Sequence, residues 1–230
     1  MKQSSLVISI TLVLMLYLLS YSSSAKAVSF DYKDTTIKYN ILVDLNDSKL
    51  FLIEIKTNKI VKTYPVAGGK PSTPSPLGTW KIIGKAKWDK GFGTRWMRLN
   101  VPWGQYGIHG TNKPLTIGGS SSLGCIRMYN NNVEELFEYV PMGTTVVIYG
   151  GPYGLFTNEF RKLTPGDTGA DVFEVQRQLN FRGYYNETLD GIYSDTLKKA
   201  VIKYRKDNKL TITHDIDKEF YNSLNILPFE

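Results

Sequence analysis

The segment 108–128, IHGTNKPLTIGGSSSLGCIRM, holds the only cysteine of the chain, Cys125, and one of its two histidines, His109. A free thiol has a pKa of ~8.5, so only a small fraction is ionised at neutral pH. An imidazole within hydrogen-bond reach can take the proton and lower the thiol pKa. His109 lies between Ile108 and Gly110, a setting for a strand end with its ring free. The residues that follow are enough to run out as a loop and bring Cys125 back beside it. Gly124 and the run Gly118–Ser122 let the backbone turn sharply and approach a substrate closely. N–H groups freed by such a turn can point at a developing oxyanion. The chemistry these residues suit is acyl transfer through a cysteine thioester. The competing reading is a buried, inert thiol and an ordinary histidine.

Other chemistries have less behind them. None of Ser120, Ser121 and Ser122 fits a Gly-x-Ser-x-Gly nucleophile elbow, so the serines are read first as shaping the loop. Gly68-Gly69-Lys70 lacks the earlier glycine of a phosphate loop, because Tyr64 takes its place. One cysteine and two distant histidines, His109 and His214, match no zinc spacing, and neither a metal nor another cofactor is expected. The lysines are scattered and no nucleic-acid motif is present. The local cysteine pattern of papain-like proteases is missing as well.

The N-terminus reads as an export signal. Lys2 gives a positive start, Leu6 to Leu19 is an uncharged, mostly apolar run, and Ala25-Lys26-Ala27 supplies an A-x-A cleavage site. The run is shorter than the ~20 residues of a spanning helix; an uncleaved anchor is the alternative. Residues 1–27 are therefore expected to be a signal peptide, with no membrane contact after cleavage. Loss of Lys2 and Lys26 would lower the formal charge from +7 to +5, still drawing the protein to anionic surfaces. A single exported cysteine cannot close an internal disulfide, and an idle thiol there is a liability.

Two modules are expected to position the site. Tyr39 to Val43, Lys49 to Ile55, Ile60 to Val66, Trp80 to Ile83 and Thr144 to Ile148 read as strands, with turns at Asn46-Asp47-Ser48 and Thr57-Asn58. Val133, Leu136, Phe137 and Val140 share one helical face, with Asn132 as cap and Pro141-Met142-Gly143 as stop. The rest of this region reads as loop rich in Gly, Pro and Ser. The fold expected for 38–149 is mainly β, sandwich-like, with one or two helices. Residues 150–162 read as a linker. From 163 to 226 the period turns helical, predicting a small all-α domain of three helices. Val172, Val175 and Leu179 share a face behind an Asp171/Glu174 capping box. Leu197, Ala200, Val201 and Tyr204 follow Ser194, and Phe220 and Leu224 follow Asp215 or Asp217.

His109-Gly110 followed by Ser122-Leu123-Gly124-Cys125-Ile126-Arg127-Met128 resembles the L,D-transpeptidase catalytic domain, the YkuD-like family. Thr73-Pro74-Ser75-Pro76-Leu77-Gly78-Thr79 is similar to the turn that precedes the active-site strands of that family. One position departs: where many members carry a histidine two residues before the cysteine, this chain has Leu123. The region from Leu163 through Gln176-Arg177-Gln178-Leu179 to Asp190-Gly191-Ile192-Tyr193 resembles the three-helix peptidoglycan-binding domain. There too the chain departs, with Ser194 in place of a glycine and Tyr204-Arg205 in place of Phe-Gln.

The resemblance implies peptidoglycan stem peptides and glycan as partners and a secreted, wall-associated location. It implies Cys125 as nucleophile, His109 as base, and the Gly110 carbonyl as the group that orients the imidazole. The amides of Gly124 and Cys125 are expected to form an oxyanion hole. Arg127 and Ser122 are expected at the substrate, Arg127 because a guanidinium fork suits a carboxylate. Trp88, Trp96 and Trp103 are expected mostly to pack. The alternative is a catalytically silent wall-binding protein, favoured only by Leu123.

Overall fold

A computed structural model describes residues 37–87, 93–150 and 161–226. The expected signal peptide, Trp88 and most of the expected linker lie outside the described residues. Among those described, no helix is long and apolar enough to cross a membrane.

Strand alternation lays down the first half of the chain. In β1 (Tyr39–Asp44) Ile41 and Val43 are buried, and in β2 (Lys49–Glu54) Leu50 and Leu52 answer them. This is the period-two pattern of strands with one face on a core. The Asp44 carboxylate accepts hydrogen bonds from the amides of Asn46 (2.9 Å) and Asp47 (3.1 Å), which closes the hairpin between the two strands. The remaining strands are β3 (Lys59–Gly69), β4 (Gly78–Lys87), β5 (Arg95–Leu99), β6 (Gly107–His109), β7 (Ser120–Ser122), β8 (Ile126–Met128) and β9 (Thr145–Tyr149). They pair in the order β2-β1-β9-β4-β5-β6-β8-β3-β7, with β2 also bonded to β3.

That last pairing closes the sheet. The expectation of a sandwich is corrected to a barrel-like ring in which β3 serves two neighbours. Its first part pairs with β2 from Lys59 to Pro65, and its end turns to β8 at Val66 and Ala67 and to β7 at Gly68 and Gly69. Closure by a long bent strand pairs the edge of β2 and leaves the three-residue β7 at an edge beside β3. It also explains why four elements, β5 to β8, read as loop. β6, β7 and β8 are three residues each, too short for any hydrophobic period to show.

The interior holds Val66, Ile82, Met97, Ile108, Ile126, Met128 and their neighbours, all essentially buried. Helix α1 (Asn130–Tyr139) lays Val133 and Leu136 on β5 and β6. Its N-cap is Tyr129 and not Asn132, which sits inside the first turn. At its other end the Lys85 ammonium donates to the carbonyls of Phe137 (2.5 Å) and Val140 (2.7 Å). It thereby satisfies orphan carbonyls at the negative pole of the helix.

The C-terminal module is built from α2 (Ala170–Phe181), α3 (Asp195–Asp207) and α4 (Lys218–Ser223) around a separate core of Leu163, Val172, Val175, Leu179, Leu197, Phe220 and others. Ser194 and Asp217 cap α3 and α4 through bonds from the amides of Leu197 and Phe220. The expected capping box on α2 does not form: Gly169 is the N-cap, and Asp171 lies in the first turn, bonded to the Arg161 guanidinium. Two polar side chains are fully buried. Gln176 donates to Asp190 (2.7 Å) and accepts from the amide of Gly191 (2.8 Å), fixing the Asp190-Gly191 turn to α2.

Arg205 is the other. It donates to the carbonyls of Thr211 and Asp215 and to the carboxylates of Asp217 and Glu219, so one guanidinium holds the α3–α4 connection to α3. Truncating it would empty a fully buried site and take a donor from the carbonyls of Thr211 and Asp215, while the carboxylates of Asp217 and Glu219, 37% and 45% exposed, turn to water. Arg205→Ala is expected to cost the module about 3 kcal/mol, within the range for large-to-small substitutions at buried sites. Denaturant unfolding followed by the helical circular-dichroism signal checks this; an unchanged midpoint would contradict it.

Candidate active site

The pairing of β6 with β8 assembles the site. The strands run parallel, with Ile108 opposite Ile126 and His109 opposite Arg127. Both isoleucines point into the core and are fully buried. Because side chains alternate, His109 and Arg127 share the other face, and Cys125, two positions before Arg127, extends that row. One ladder thus brings together three residues that the sequence spreads over a long loop. Together with Thr111, Lys113, Ser122 and Leu123 they line a cleft of about 290 Å³.

His109 is 4% exposed. Its ring lies 5.6 Å from that of Trp96, its register partner on β5, so Trp96 forms a wall of the imidazole and is not simple core packing. The Nδ1 atom is 2.5 Å from the carbonyl oxygen of Gly110. A carbonyl can only accept, so Nδ1 carries the proton and Nε2 is the basic nitrogen. Gly110 must be glycine here: a Cβ would come within 2.2 Å of Asn130 Oδ1. That same Asn130 oxygen accepts from the amide of Thr111 (3.1 Å), bracing the carbonyl that orients the histidine. Asn130 was not singled out in the sequence, since as the first residue of a helix it carries no local signal of this role.

The Cys125 loop is held by its own serine. Ser122 Oγ donates to the carbonyl of Cys125 (2.6 Å) and accepts from the amide of Gly124 (2.9 Å). Ser122 is 1% exposed and its hydroxyl is bonded inside the turn, so it shapes the loop from the wall of the cleft. The Gly124 amide is also spent, which leaves the Cys125 amide alone among the two expected oxyanion donors; it has no partner among the described residues. Gly124 has φ +111° and would place a Cβ 2.6 Å from the Tyr106 ring, so only glycine fits.

From outside, the turn that begins at Thr73 braces this loop. Thr73 Oγ1 and the amide of Lys70 both donate to the Ser122 carbonyl (3.1 Å each), and Ser75 Oγ accepts from Gly69 (2.9 Å). The turn thus supports the Cys125 loop and is not only a prelude to the strands.

The Cys125 sulfur is half-buried, 3.9 Å from the Gln105 carbonyl. Burial pushes the thiol pKa above its ordinary value, against opposing pulls from a hydrogen bond with the Gly107 backbone and from the Arg127 charge. Burial thus opposes ionisation of the sulfur, the reverse of the lowering that a neighbouring imidazole would give. Arg127 also donates weakly to the Ser121 carbonyl (3.4 Å) and with Lys113 makes the cleft cationic. Leu123 is 74% exposed and stands at the mouth. It also borders a second cleft of about 470 Å³ between the 71–77 segment and the start of α2.

Residues 38–148 match the family described as "L,D-transpeptidase catalytic domain", and residues 168–224 match "Putative peptidoglycan binding domain". The chain is similar to "Putative L,D-transpeptidase YkuD" of Bacillus licheniformis, with 46% identity over 49% of this chain and 67% of that protein. It is also similar to "Putative L,D-transpeptidase YqjB" of Bacillus subtilis, with 35% identity over 42% of this chain and 64% of that protein. Among solved structures, the catalytic domain of an Enterococcus faecium L,D-transpeptidase aligns with a TM-score of 0.43 and 25% identity, covering 49% of this chain and 98% of that domain. The chain belongs to the YkuD family of L,D-transpeptidases, its catalytic domain followed by a three-helix domain of the peptidoglycan-binding type.

Proposed function

We propose that the protein is an exported cysteine L,D-transpeptidase that joins peptidoglycan stem peptides outside the cell membrane. The observation that carries this reading is the common sheet face of His109, Cys125 and Arg127, with His109 Nδ1 committed to Gly110.

The acyl donor is a tetrapeptide stem. Its carboxylate is attracted into the cleft by Arg127 and Lys113. His109 Nε2 takes the thiol proton as Cys125 Sγ attacks the carbonyl carbon of the third, diamino residue. The oxyanion of the tetrahedral intermediate sits on the Cys125 amide, a type of donor worth ~3 kcal/mol where measured elsewhere. Collapse breaks the peptide bond; the imidazolium gives its proton to the departing D-alanine amine, leaving a thioester. An amine of a second stem then loses its proton to His109 and attacks the thioester, and the thiol is restored. Water in place of the amine gives an L,D-carboxypeptidase side reaction. No metal or cofactor takes part in this scheme. The helical module holds the enzyme on the polymer and raises its effective concentration there.

Two outcomes test the reading. Peptidoglycan treated with the protein, digested and weighed by mass spectrometry, is expected to gain cross-links between the third residues of two stems, or to lose terminal D-alanine. Cys125→Ser is expected to do neither. Equal products with the variant, or no product with a folded wild type, would favour a silent wall-binding protein.

The raised thiol pKa gives a second expectation. Alkylation of Cys125 by iodoacetamide is expected to accelerate with pH, with a midpoint above ~8.5, the ordinary thiol value. A midpoint near neutral would show that the resting sulfur is an ion-paired thiolate.

A further inference from the structure

Helix α2 buries Val172, Val175 and Leu179 in its own module, but Phe173 belongs to neither core. It lies against two tryptophans of the catalytic domain, with ring centroids 6.0 Å from Trp80 and 5.8 Å from Trp103. The two indoles meet edge to face at 5.2 Å. Next to Phe173, the Asp190-Gly191 turn presses on the same indole: a methyl group at Gly191 would come within 2.3 Å of Trp103 Cε3. The buried Gln176 fixes that turn to α2, so Phe173 and Gly191 close on Trp103 as one rigid jaw.

Both tryptophans lead to the nucleophile loop. Trp103 contacts Tyr106 at 6.5 Å between centroids, and Tyr106 in turn packs on Gly124 so closely that no Cβ fits. Trp80 donates from its indole nitrogen to the Pro76 carbonyl (2.8 Å), tying down the turn whose Thr73 holds the Ser122 carbonyl. Two chains of contact, joined where the indoles meet, thus run from the helical module to the residues flanking Cys125.

We propose that Phe173 is a positioning residue: the helical module, through Phe173 and Gly191, clamps Trp103 and Trp80 and so holds the Gly124-Cys125 turn in its reactive geometry. This rests on Cys125 being the nucleophile proposed above. The module then acts on the chemical step as well as on polymer binding. The physical reason is the steep dependence of attack on alignment: a nucleophile displaced by about 1 Å loses up to about a hundredfold in rate. Removal of the phenyl ring opens a void beside Trp103 and Trp80 and frees the stack that ends on Gly124.

The test uses a small acylating agent, so that polymer binding plays no part. The rate at which a carbapenem forms a covalent adduct on Cys125 is followed by intact-protein mass spectrometry in the full chain. Phe173→Ala is expected to slow the adduct by about tenfold or more, a change carried by the acylation rate at saturating carbapenem and not by its half-saturating concentration. Sedimentation with purified wall polymer is expected to be unchanged. Phe173→Tyr keeps the ring and is expected to restore the rate. Phe181→Ala, on the same helix but 85% exposed, is expected to behave as wild type. Trp103→Phe, which leaves the helical module intact, is expected to reproduce the loss should Phe173→Ala unfold that module. A wild type that takes adduct and variants that take it equally fast overturn this inference alone. A folded wild type that takes none overturns the nucleophile assignment and this inference together.

Discussion

The parallel ladder between β6 and β8 is the constraint on which the rest depends. It places Ile108 beside Ile126 and His109 beside Arg127, and it tolerates no slip. A shift of one residue would turn the isoleucines to solvent and the histidine into an apolar core, so burial of two isoleucines enforces the catalytic register. The site is positioned by hydrophobic packing on the far face of the sheet. The polar groups only refine what that packing has set.

Around this ladder the catalytic groups are held mainly by backbone atoms. The Gly110 carbonyl orients His109 where a carboxylate does the same in other triads, and without adding a negative charge next to the imidazole. Burial of the Cys125 sulfur opposes its ionisation in the free protein. The Ser122 hydroxyl, bonded to the Gly124 amide and the Cys125 carbonyl, fixes the turn that contains the Cys125 amide.

How much of this the sequence carried depended on length and type. Long alternating strands such as β1 and β2, and the cap Ser194, were legible because each has a local signal, while the choice between Asp215 and Asp217 as the last cap falls to Asp217 in the structure. His109, Gly124 and Cys125 were legible as a pattern of residue types around glycines, whereas Gly110 and Arg127 came only with the family resemblance. Ser122 was legible as a loop-former, and only the hydrogen bonds show where its hydroxyl goes. The strands β6 to β8 are defined by pairing across long separations, which no window of sequence contains. Asn130, Tyr106 and Phe173 act through tertiary contacts alone. Phe173 looked like one more apolar helix residue, one position off the buried stripe, and that offset is what turns it to the other domain.

The central claim is that the imidazole serves the sulfur as a base from a fixed position. Single-turnover formation of the thioester with a soluble tetrapeptide stem, measured across pH in wild type and His109→Gln, tests it most directly. The account predicts a wild-type rate that rises with deprotonation of an imidazole and then levels, and a loss of at least about a hundredfold in the variant, whose rate follows only the thiol. A variant with the wild-type rate and profile would contradict it.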